Sequence, residues 1–162
     1  MSPDTRSSDR RRPAADSAET ATALKLFVVL SRAATAVQRQ ASDDVARHGL
    51  TISEFAVLEA LFHKGPLLLG EVQRVVLVSS GGITFLVDRL EGKGLVERRE
   101  CQEDRRARYA ALTRAGETLM RRIFPPHAAR IRAAMSALTL AQQRELTALL
   151  RTLGSAADSL SG

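Results

Sequence analysis

The sequence predicts a mainly α-helical protein with one small β-hairpin, and three observations support this. Hydrophobic residues make up 44% of the 162 residues, but aromatic residues only 4%, with no Trp. The many Ala and Leu residues favour helices, because both are strong helix formers. Apolar residues recur at three- and four-residue steps on both sides of the chain's centre. Between them, a charged stretch separates two short runs that are typical of strands.

The chain begins with a polar segment and then a long amphipathic one. Residues 1–20 are rich in Ser, Asp, Arg and Pro and have almost nothing to bury, so we predict a disordered tail. Residues 21–48 follow a helical spacing, and Gly49 is the residue type that usually ends a helix. The apolar face of this predicted helix comprises Leu24, Phe27, Val28, Ala34, Val37, Ala41 and Val45.

A second helix is predicted from its start and stop signals. Thr51 and Glu54 have the spacing of a capping box, in which each side chain satisfies a loose backbone donor of the other residue. The helix then carries Phe55, Leu58 and Leu61–Phe62 inward and stops at residues 65–66, a Gly-Pro pair. Residues 67–69, three leucines, are too short for a helix and are either a small strand or an extended link.

A tight pair of helices follows. A short helix is predicted over residues 71–76, and a turn at 77–78 leads to Ser79 and Ser80, either of which can cap the next helix. That helix runs to about Gly92. Its buried face is predicted to comprise Ile83, Leu86, Val87 and Leu90.

Two strands, at about 95–99 and 107–112, flank the most charged part of the chain. Residues 89–112 hold seven basic and five acidic side chains, a net charge of +2. In chain order, the predicted elements are a helix, a short helix, a tight turn, a helix and a two-stranded hairpin. This order is the winged helix-turn-helix arrangement. Each part is a weak signal by itself, but their order and spacing together are fairly specific.

The C-terminal third predicts two further helices. The first begins after Thr113 and is expected to break or bend near Pro125-Pro126, since proline removes a backbone donor and clashes with the preceding turn. The second begins with a Thr139-x-x-Gln142 capping box. Leu146, Leu149, Leu150 and Leu153 then form an apolar stripe that another surface must cover.

At this point the chain resembles a known family. The stretch "SSGGITFLVDRLEGKGLVERRECQEDRRARYAALTRAGETL" resembles the DNA-binding core of MarR-type transcriptional regulators. Its most specific part is "DRRARYAALT", which matches the Asp-x-Arg pattern of the family's wing. The resemblance covers about residues 24–153. The phrases "LLLGEVQRVVLVSSGGIT" and "IFPPHA" are most similar to the branch that senses quinones and phenolic compounds.

The resemblance completes the predicted architecture. The fold class is mainly α with a small β-hairpin wing, a winged helix-turn-helix plus a helical dimerisation base. Residues 21–154 are expected to form one domain, in which 51–113 is the winged helix-turn-helix. The segments 21–48 and 114–154 are the dimerisation helices, because in the family the first and last helices of two subunits interlock. Two-fold symmetry would require a pseudo-palindromic DNA site with half-sites about one helical turn apart.

Double-stranded DNA is the predicted partner, and the charged hairpin explains why. Arginines crowded at a hairpin tip repel one another, but beside DNA each can neutralise a phosphate and release counterions. By resemblance, Arg106 is the wing-tip residue that enters the minor groove and Asp104 supports the wing. Arg105 and Arg108 either contact phosphates or pair with Glu100 and Glu103. The recognition helix places its first turn in the major groove. Its predicted contacts are Ser79, Ser80, Gly82, Thr84, Phe85 and Arg89.

The family also implies a small effector. Its members commonly hold a phenolic or aromatic ligand between the dimer base and the DNA-binding lobe, and binding there lowers DNA affinity. No motif marks such a pocket in this sequence. The candidate lining residues are Phe27, His48, Phe55, Phe62 and His63.

The single cysteine offers an alternative mechanism. Cys101 is flanked by Arg98, Arg99, Arg105 and Arg106, which would favour the thiolate, although Glu100 and Glu103 oppose this shift. A thiolate there can be alkylated by a quinone or oxidised, which would disturb the wing. The alternative is therefore a thiol-based, electrophile- or redox-sensing repressor. An inert loop cysteine is the simpler interpretation.

Other functional classes have little support. No nucleophile–base pair or Gly-rich phosphate loop suggests an enzyme, and His48, His63, His127 and Cys101 lack metal-ligand spacing, so neither a cofactor nor a metal is expected. An adaptor that has lost DNA binding is conceivable. One cysteine, no secretory signal and no apolar run near the roughly 20 residues of a membrane span predict a cytoplasmic protein. The net charge of +6 fits a polyanion partner.

Overall fold

The computed structural model describes residues 14–76, 80–100 and 108–160. In chain order the elements are α1 (Ala14–Ala46), α2 (Ile52–Lys64), β1 (Leu67–Leu68), α3 (Leu69–Val76), α4 (Ser80–Gly92), β2 (Val96–Glu100), β3 (Arg108–Leu112), α5 (Arg114–Ala134) and α6 (Leu140–Ser159). Two compact units are distinguished, residues 1–38 and residues 39–162. The predicted class, mainly helical with a small antiparallel sheet, is confirmed.

The sheet is small and antiparallel, with strand order β1-β3-β2. β2 pairs with β3 from Val96 opposite Leu112 to Glu100 opposite Arg108. The three leucines at 67–69 divide between two elements, because Leu67 and Leu68 pair with β3 while Leu69 begins α3. The hairpin predicted from the two apolar runs is therefore present, and it gains a third strand.

The core of the second unit lies where α2, α3, α4, the sheet and the start of α5 meet. Most of its members come from α2 and α4, which supply the apolar positions predicted from helical spacing. Burying these side chains is the main favourable contribution to folding of this unit. The largest fully buried apolar side chains are Phe55, Leu58, Leu90, Met120 and Ile123.

Two helix boundaries differ from the predictions by five residues or more. α1 begins at Ala14, so residues 14–20, expected to belong to a disordered tail, are helical. Three alanines in this segment favour the helix despite its polar character. α6 continues to Ser159, beyond the predicted domain end at 154, because Gly154 lies within the helix and does not end it.

α5 runs unbroken through its two prolines, so of the predicted break or bend the break does not occur. It is one helix from Arg114 to Ala134, with Pro125 and Pro126 inside it. Each proline removes a backbone donor, but side chains on both sides of the pair are anchored in the core. Ile123 is buried before the prolines, and His127 is buried after them. Tertiary packing therefore outweighs the local cost.

Two segments expose large apolar side chains. In α1, residues 24 and 26–29 are exposed, and Phe27 is 66% accessible. α6 has no buried residue, and its exposed leucines are Leu140, Leu146, Leu149, Leu150 and Leu153. Contiguous exposed apolar surface usually marks an interaction site. Each segment therefore has the surface of an interaction site.

α1 bears on the prediction that no apolar run approaches the roughly 20 residues of a membrane span. Its portion Ser17–Ala46 is 30 residues long and contains an 18-residue window with a mean hydropathy of 1.4, so by length and composition alone it could cross a membrane. The interspersed Ser, Thr and Gln residues hide this in a search for uninterrupted apolar runs. One helix near the N-terminus that meets these criteria is weak grounds for a membrane span.

The junction between the sheet and α5 is unusually close. Thr113 caps α5 by accepting a hydrogen bond from the backbone N–H of Gly116, and its hydroxyl donates to the carbonyl of Gly94 at 2.7 Å. A Cβ on Gly116 would overlap the carbonyl oxygen of Leu95, which is backbone and cannot rotate away. Only glycine fits at this point of contact.

We expect Gly116→Ala to destabilise the fold by about 1–3 kcal/mol, because the added methyl group forces the start of α5 away from Leu95. The measurement is urea unfolding at matched protein concentration. Gly92→Ala is the control, since nothing lies within 4 Å of a Cβ added at that position. Equal stability of the two variants would contradict the packing described at Leu95.

Candidate nucleic-acid interface

α4 has one face in the core and one face in solvent. The four residues predicted to be buried, Ile83, Leu86, Val87 and Leu90, are all buried. On the other side Thr84 is exposed and the side chain of Phe85 is 58% accessible. A hydroxyl and an apolar ring on a helix surface can contact base edges and thymine methyl groups in a major groove. α4 therefore has the surface expected of a recognition helix.

A buried carboxylate in α2 holds the C-terminal half of α4. The side chain of Glu54 has no solvent exposure. Its Oε2 accepts hydrogen bonds from the Thr51 backbone N–H at 2.8 Å and from Lys93 Nζ at 2.9 Å. Its Oε1 lies 3.0 Å from Arg89 Nε, but this is an ion pair without hydrogen-bond geometry, since no described residue donates to that atom. Two cations thus compensate one buried anion.

The charge of Glu54 is retained despite its burial. Burial alone would raise the pKa of this carboxyl. The Thr51 N–H and the Lys93 and Arg89 cations outweigh burial, so the pKa lies below the ordinary value of 4.5. A lowered folded-state pKa stabilises the fold above the unfolded pKa, and this contribution disappears as the pH falls through the folded pKa. Glu54 is therefore ionised at neutral pH.

Arg89 connects this buried anion to the exposed face of α4. Its guanidinium carbon lies 5.7 Å from the centre of the Phe85 ring, within the range of a cation–π interaction. The Arg89 side chain is 45% exposed. It was predicted to contact DNA directly, and the structure places it between Glu54 and Phe85.

A second set of ion pairs connects α4 to the wing. Arg98, in β2, forms ion pairs with Asp88 and Glu91 of α4. The distance between Arg98 and Asp88 is 2.6 Å, and the backbone N–H of Arg98 donates to Glu91 Oε1 at 2.9 Å. Lys93 Nζ also donates to the carbonyl of Gly49, just after α1. These contacts fix the helix relative to both β2 and the start of α2.

Several predicted DNA contacts lie outside the described residues, so they remain predictions. These are Ser79, Asp104, Arg105 and Arg106, together with Cys101. Ser80 begins α4, and Gly82 lies in its first turn, half-buried. Arg108 is exposed at the start of β3, opposite Glu100.

The role of these ion pairs is not evident from the sequence. The capping box assigns Glu54 a role at the start of α2, and Arg98 is considered only as a neighbour of Cys101. One signal was available, since Glu54 shares the spacing i, i+4, i+7 with Leu58 and Leu61 and therefore lies on the buried face of α2. The cationic partners of Glu54 could not be found in this way, because Arg89 lies in α4 and Lys93 in the turn after it.

Within the second unit, the four predicted pocket residues His48, Phe55, Phe62 and His63 do not form one group. Phe55 is a core residue, and its ring lies 4.4 Å from the ring of buried His127. Phe62 and His63 do lie together, and with Phe124 they form an aromatic cluster with ring distances of 4.6–6.0 Å. His48 is exposed in the turn after α1, and Phe27 belongs to the other unit.

One member of the aromatic cluster, Phe62, lines a small open cleft. The cleft measures about 280 Å³, and its lining includes Phe62, Pro66, Leu112 and the charged Arg99 and Glu117. Nearby, His127 Nδ1 lies 2.9 Å from an oxygen of Asp44, which also pairs with Arg130 at 3.1 Å. No group of three or more His, Cys, Asp or Glu suited to a metal ion occurs in the described part of the chain.

Comparisons with known proteins agree with this geometry. A family model described as the MarR family matches residues 48–107. The HTH-type transcriptional regulator MhqR of Bacillus subtilis (strain 168) is 41% identical over 131 residues, which are 81% of this chain and 90% of MhqR. YkoM of the same organism, an uncharacterized HTH-type transcriptional regulator, is 37% identical over 132 residues, 82% of this chain and 86% of YkoM.

Solved structures show the same fold. Sco3205 of Streptomyces coelicolor, a MarR family transcriptional regulator in complex with DNA, has a TM-score of 0.77 and 26% identity, covering 82% of this chain and 89% of Sco3205. AbsC of the same organism has a TM-score of 0.79 at 23% identity, covering 85% of this chain and 95% of AbsC, a likeness of fold. With the identity to MhqR, these findings show that the chain belongs to the MarR family of DNA-binding transcriptional regulators.

Proposed function

We propose that this protein is a homodimeric repressor that binds a pseudo-palindromic operator and leaves it when a small phenolic or quinone-like compound binds. One observation carries the proposal. α4 buries its apolar face and exposes Thr84 and Phe85, and charged contacts attach it to an arginine-bearing hairpin. A fixed helix beside a basic hairpin suits simultaneous contact with the major groove and the neighbouring minor groove. A regulator of this kind acts in the cytoplasm and needs no catalytic group or cofactor.

The exposed apolar faces of α1 and α6 support a dimer. Neither face is covered by the described residues, and α6 exposes its leucines along most of its length. A second copy of the chain offers the same faces, so a two-fold arrangement can cover them on both subunits at once. Such a dimer presents two recognition helices and therefore reads two symmetric half-sites.

Two observations favour a phenolic or quinone-like effector. The resemblance of residues 67–84 and 123–128 to the quinone- and phenol-sensing branch suggests the class. Phe62, whose ring is packed with those of His63 and Phe124, lines an open cleft and can stack on a phenol. Phe62 is therefore a better candidate than Phe55, whose ring is already packed in the core.

The thiol mechanism through Cys101 is the second candidate, favoured by the arginines that flank it in sequence. The structure reduces this support, because two of the four are engaged with acids. Arg98 pairs with Asp88 and Glu91, and Arg99 pairs with Glu97 at 2.7 Å. Paired guanidinium groups stabilise a neighbouring thiolate less than unpaired ones do.

Arg106→Ala is expected to weaken DNA binding and to reduce the slope of log K against log salt by about one, because one phosphate-neutralising charge is lost. Fluorescence anisotropy with a labelled duplex at several salt concentrations measures both quantities. Arg151→Ala removes the same charge from the exposed surface of α6 and is the matched control. If the unmodified protein, Arg106→Ala and the control all bind the duplex equally weakly, the chain is better described as an adaptor that has lost DNA binding.

Leu149→Glu is expected to raise the dimer dissociation constant by at least about tenfold, since a charge would be buried in an apolar interface. Leu149 is exposed in the single chain, so the fold of one subunit should tolerate the change. Sedimentation equilibrium measures the dissociation constant. Ala148→Glu, on the opposite face of α6 by helical spacing, should leave the dimer intact. A Leu149→Glu variant that dimerises normally would place the interface elsewhere.

Cys101→Ser separates the two regulatory mechanisms. If a non-covalent pocket releases the operator, catechol and benzoquinone should dissociate the variant from DNA as they dissociate the unmodified protein. The measurement is the fraction of labelled duplex released against effector concentration, with and without prior thiol reductant. Complete loss of the benzoquinone response in Cys101→Ser would instead establish the thiol mechanism.

A further inference from the structure

We propose that Glu54 is a positioning residue for base discrimination, acting through Arg89 on the exposed ring of Phe85. The inference rests on the proposed function, in which the exposed face of α4 reads DNA. Glu54 is buried in α2 and does not contact the exposed face of α4, so its effect on that face is indirect. The path runs through two consecutive contacts, from Glu54 to Arg89 and from Arg89 to Phe85.

The buried charge of Glu54 favours the first contact, the ion pair with Arg89. Oε2 is satisfied by the Thr51 N–H and by Lys93, whereas Oε1 accepts no hydrogen bond from the described residues and has the Arg89 Nε at 3.0 Å. An uncompensated oxygen of a carboxylate without solvent exposure is costly, because burial penalises charge without a partner. Arg89 is therefore held with its Nε toward the interior.

The second contact transmits that position to the DNA-facing side. Phe85 and Arg89 are four residues apart on α4, so their side chains are neighbours on one helix face. With Nε fixed near Glu54, the guanidinium carbon lies 5.7 Å from the ring centre. A cation over one face of a ring restricts its rotamers while the remaining surface stays accessible. The Phe85 ring is thereby presented at a defined angle.

An angle held in this way matters for specificity more than for affinity. Phosphate contacts supply most of the binding free energy and are independent of sequence, whereas an apolar ring against a thymine methyl group distinguishes that base. A ring that samples several rotamers still allows non-specific binding. Such a ring loses the contact by which the correct base is bound more tightly than the other bases.

The test substitution is Glu54→Gln, since glutamine at the third helical position preserves the capping box but carries no charge. The probes are the duplex enriched by the protein from a random DNA pool and the same duplex with its half-sites scrambled. We expect the ratio of the two affinities to fall about tenfold, which corresponds to the loss of one base contact. The affinity for the scrambled duplex should change little. Glu145→Gln, an exposed carboxylate on α6, is the matched control and should keep the ratio.

Two further variants distinguish positioning from general destabilisation. Phe85→Leu should lower the ratio of the two affinities by a similar factor. The double variant Glu54→Gln/Phe85→Leu should lower this ratio no further than either single substitution, because both substitutions interrupt the same path. Arg89→Lys keeps the charge on a half-exposed side chain but lacks Nε and the planar group. It should lose discrimination even if Glu54→Gln fails to fold.

The outcomes separate the inference from the function on which it rests. If the unmodified protein enriches a site and Glu54→Gln and Arg89→Lys discriminate as well as it does, this inference is overturned and the proposed function stands. Fully additive losses in the double variant would overturn it as well. If the unmodified protein does not distinguish the two duplexes, the proposed function and the inference fail together.

Discussion

The carboxylate of Glu54 is the constraint on which the arrangement of the DNA-reading unit depends. A charge without solvent exposure must find its compensation inside the protein, and here both cations come from α4 and from the turn after it. The same residue caps α2, so the start of that helix and the end of the recognition helix are fixed by one side chain. Arg98 adds a connection from α4 to β2. The recognition helix is therefore held by charge on two sides as well as by its apolar face.

This arrangement explains why a short helix can serve as a reading surface. α4 has thirteen residues, and its first turn includes glycines, which lower helix stability. Isolated helices of this length are marginal in water. The buried apolar face and the ion pairs of Asp88, Arg89 and Glu91 supply the stability that the sequence of the helix lacks. The outer face is thus left available for DNA, which is the basis of the proposed function.

The local signals of the sequence predicted the elements well, because helices and strands follow from spacing and caps. The capping boxes at Thr51 and Thr139 are both present, and the buried face of α4 was predicted residue by residue. The failures concern interactions between distant positions. The prolines of α5 are tolerated because Ile123 and His127 are buried on either side, and the role of Glu54 depends on a partner 35 residues away. The start of α1 was missed because its alanines lie among polar residues. The predicted wing-tip contact of Arg106 remains a prediction.

In the function that we propose, two recognition helices, fixed in one symmetric dimer, read two half-sites on one face of DNA. The most direct measurement compares the affinity for the enriched site with that for the same site after about five base pairs are inserted between its halves. Half a helical turn places the second half-site on the opposite face of the duplex. The claim predicts that affinity falls to that of scrambled DNA and recovers partly when the insertion is about ten base pairs. Affinity that is indifferent to both insertions would contradict it.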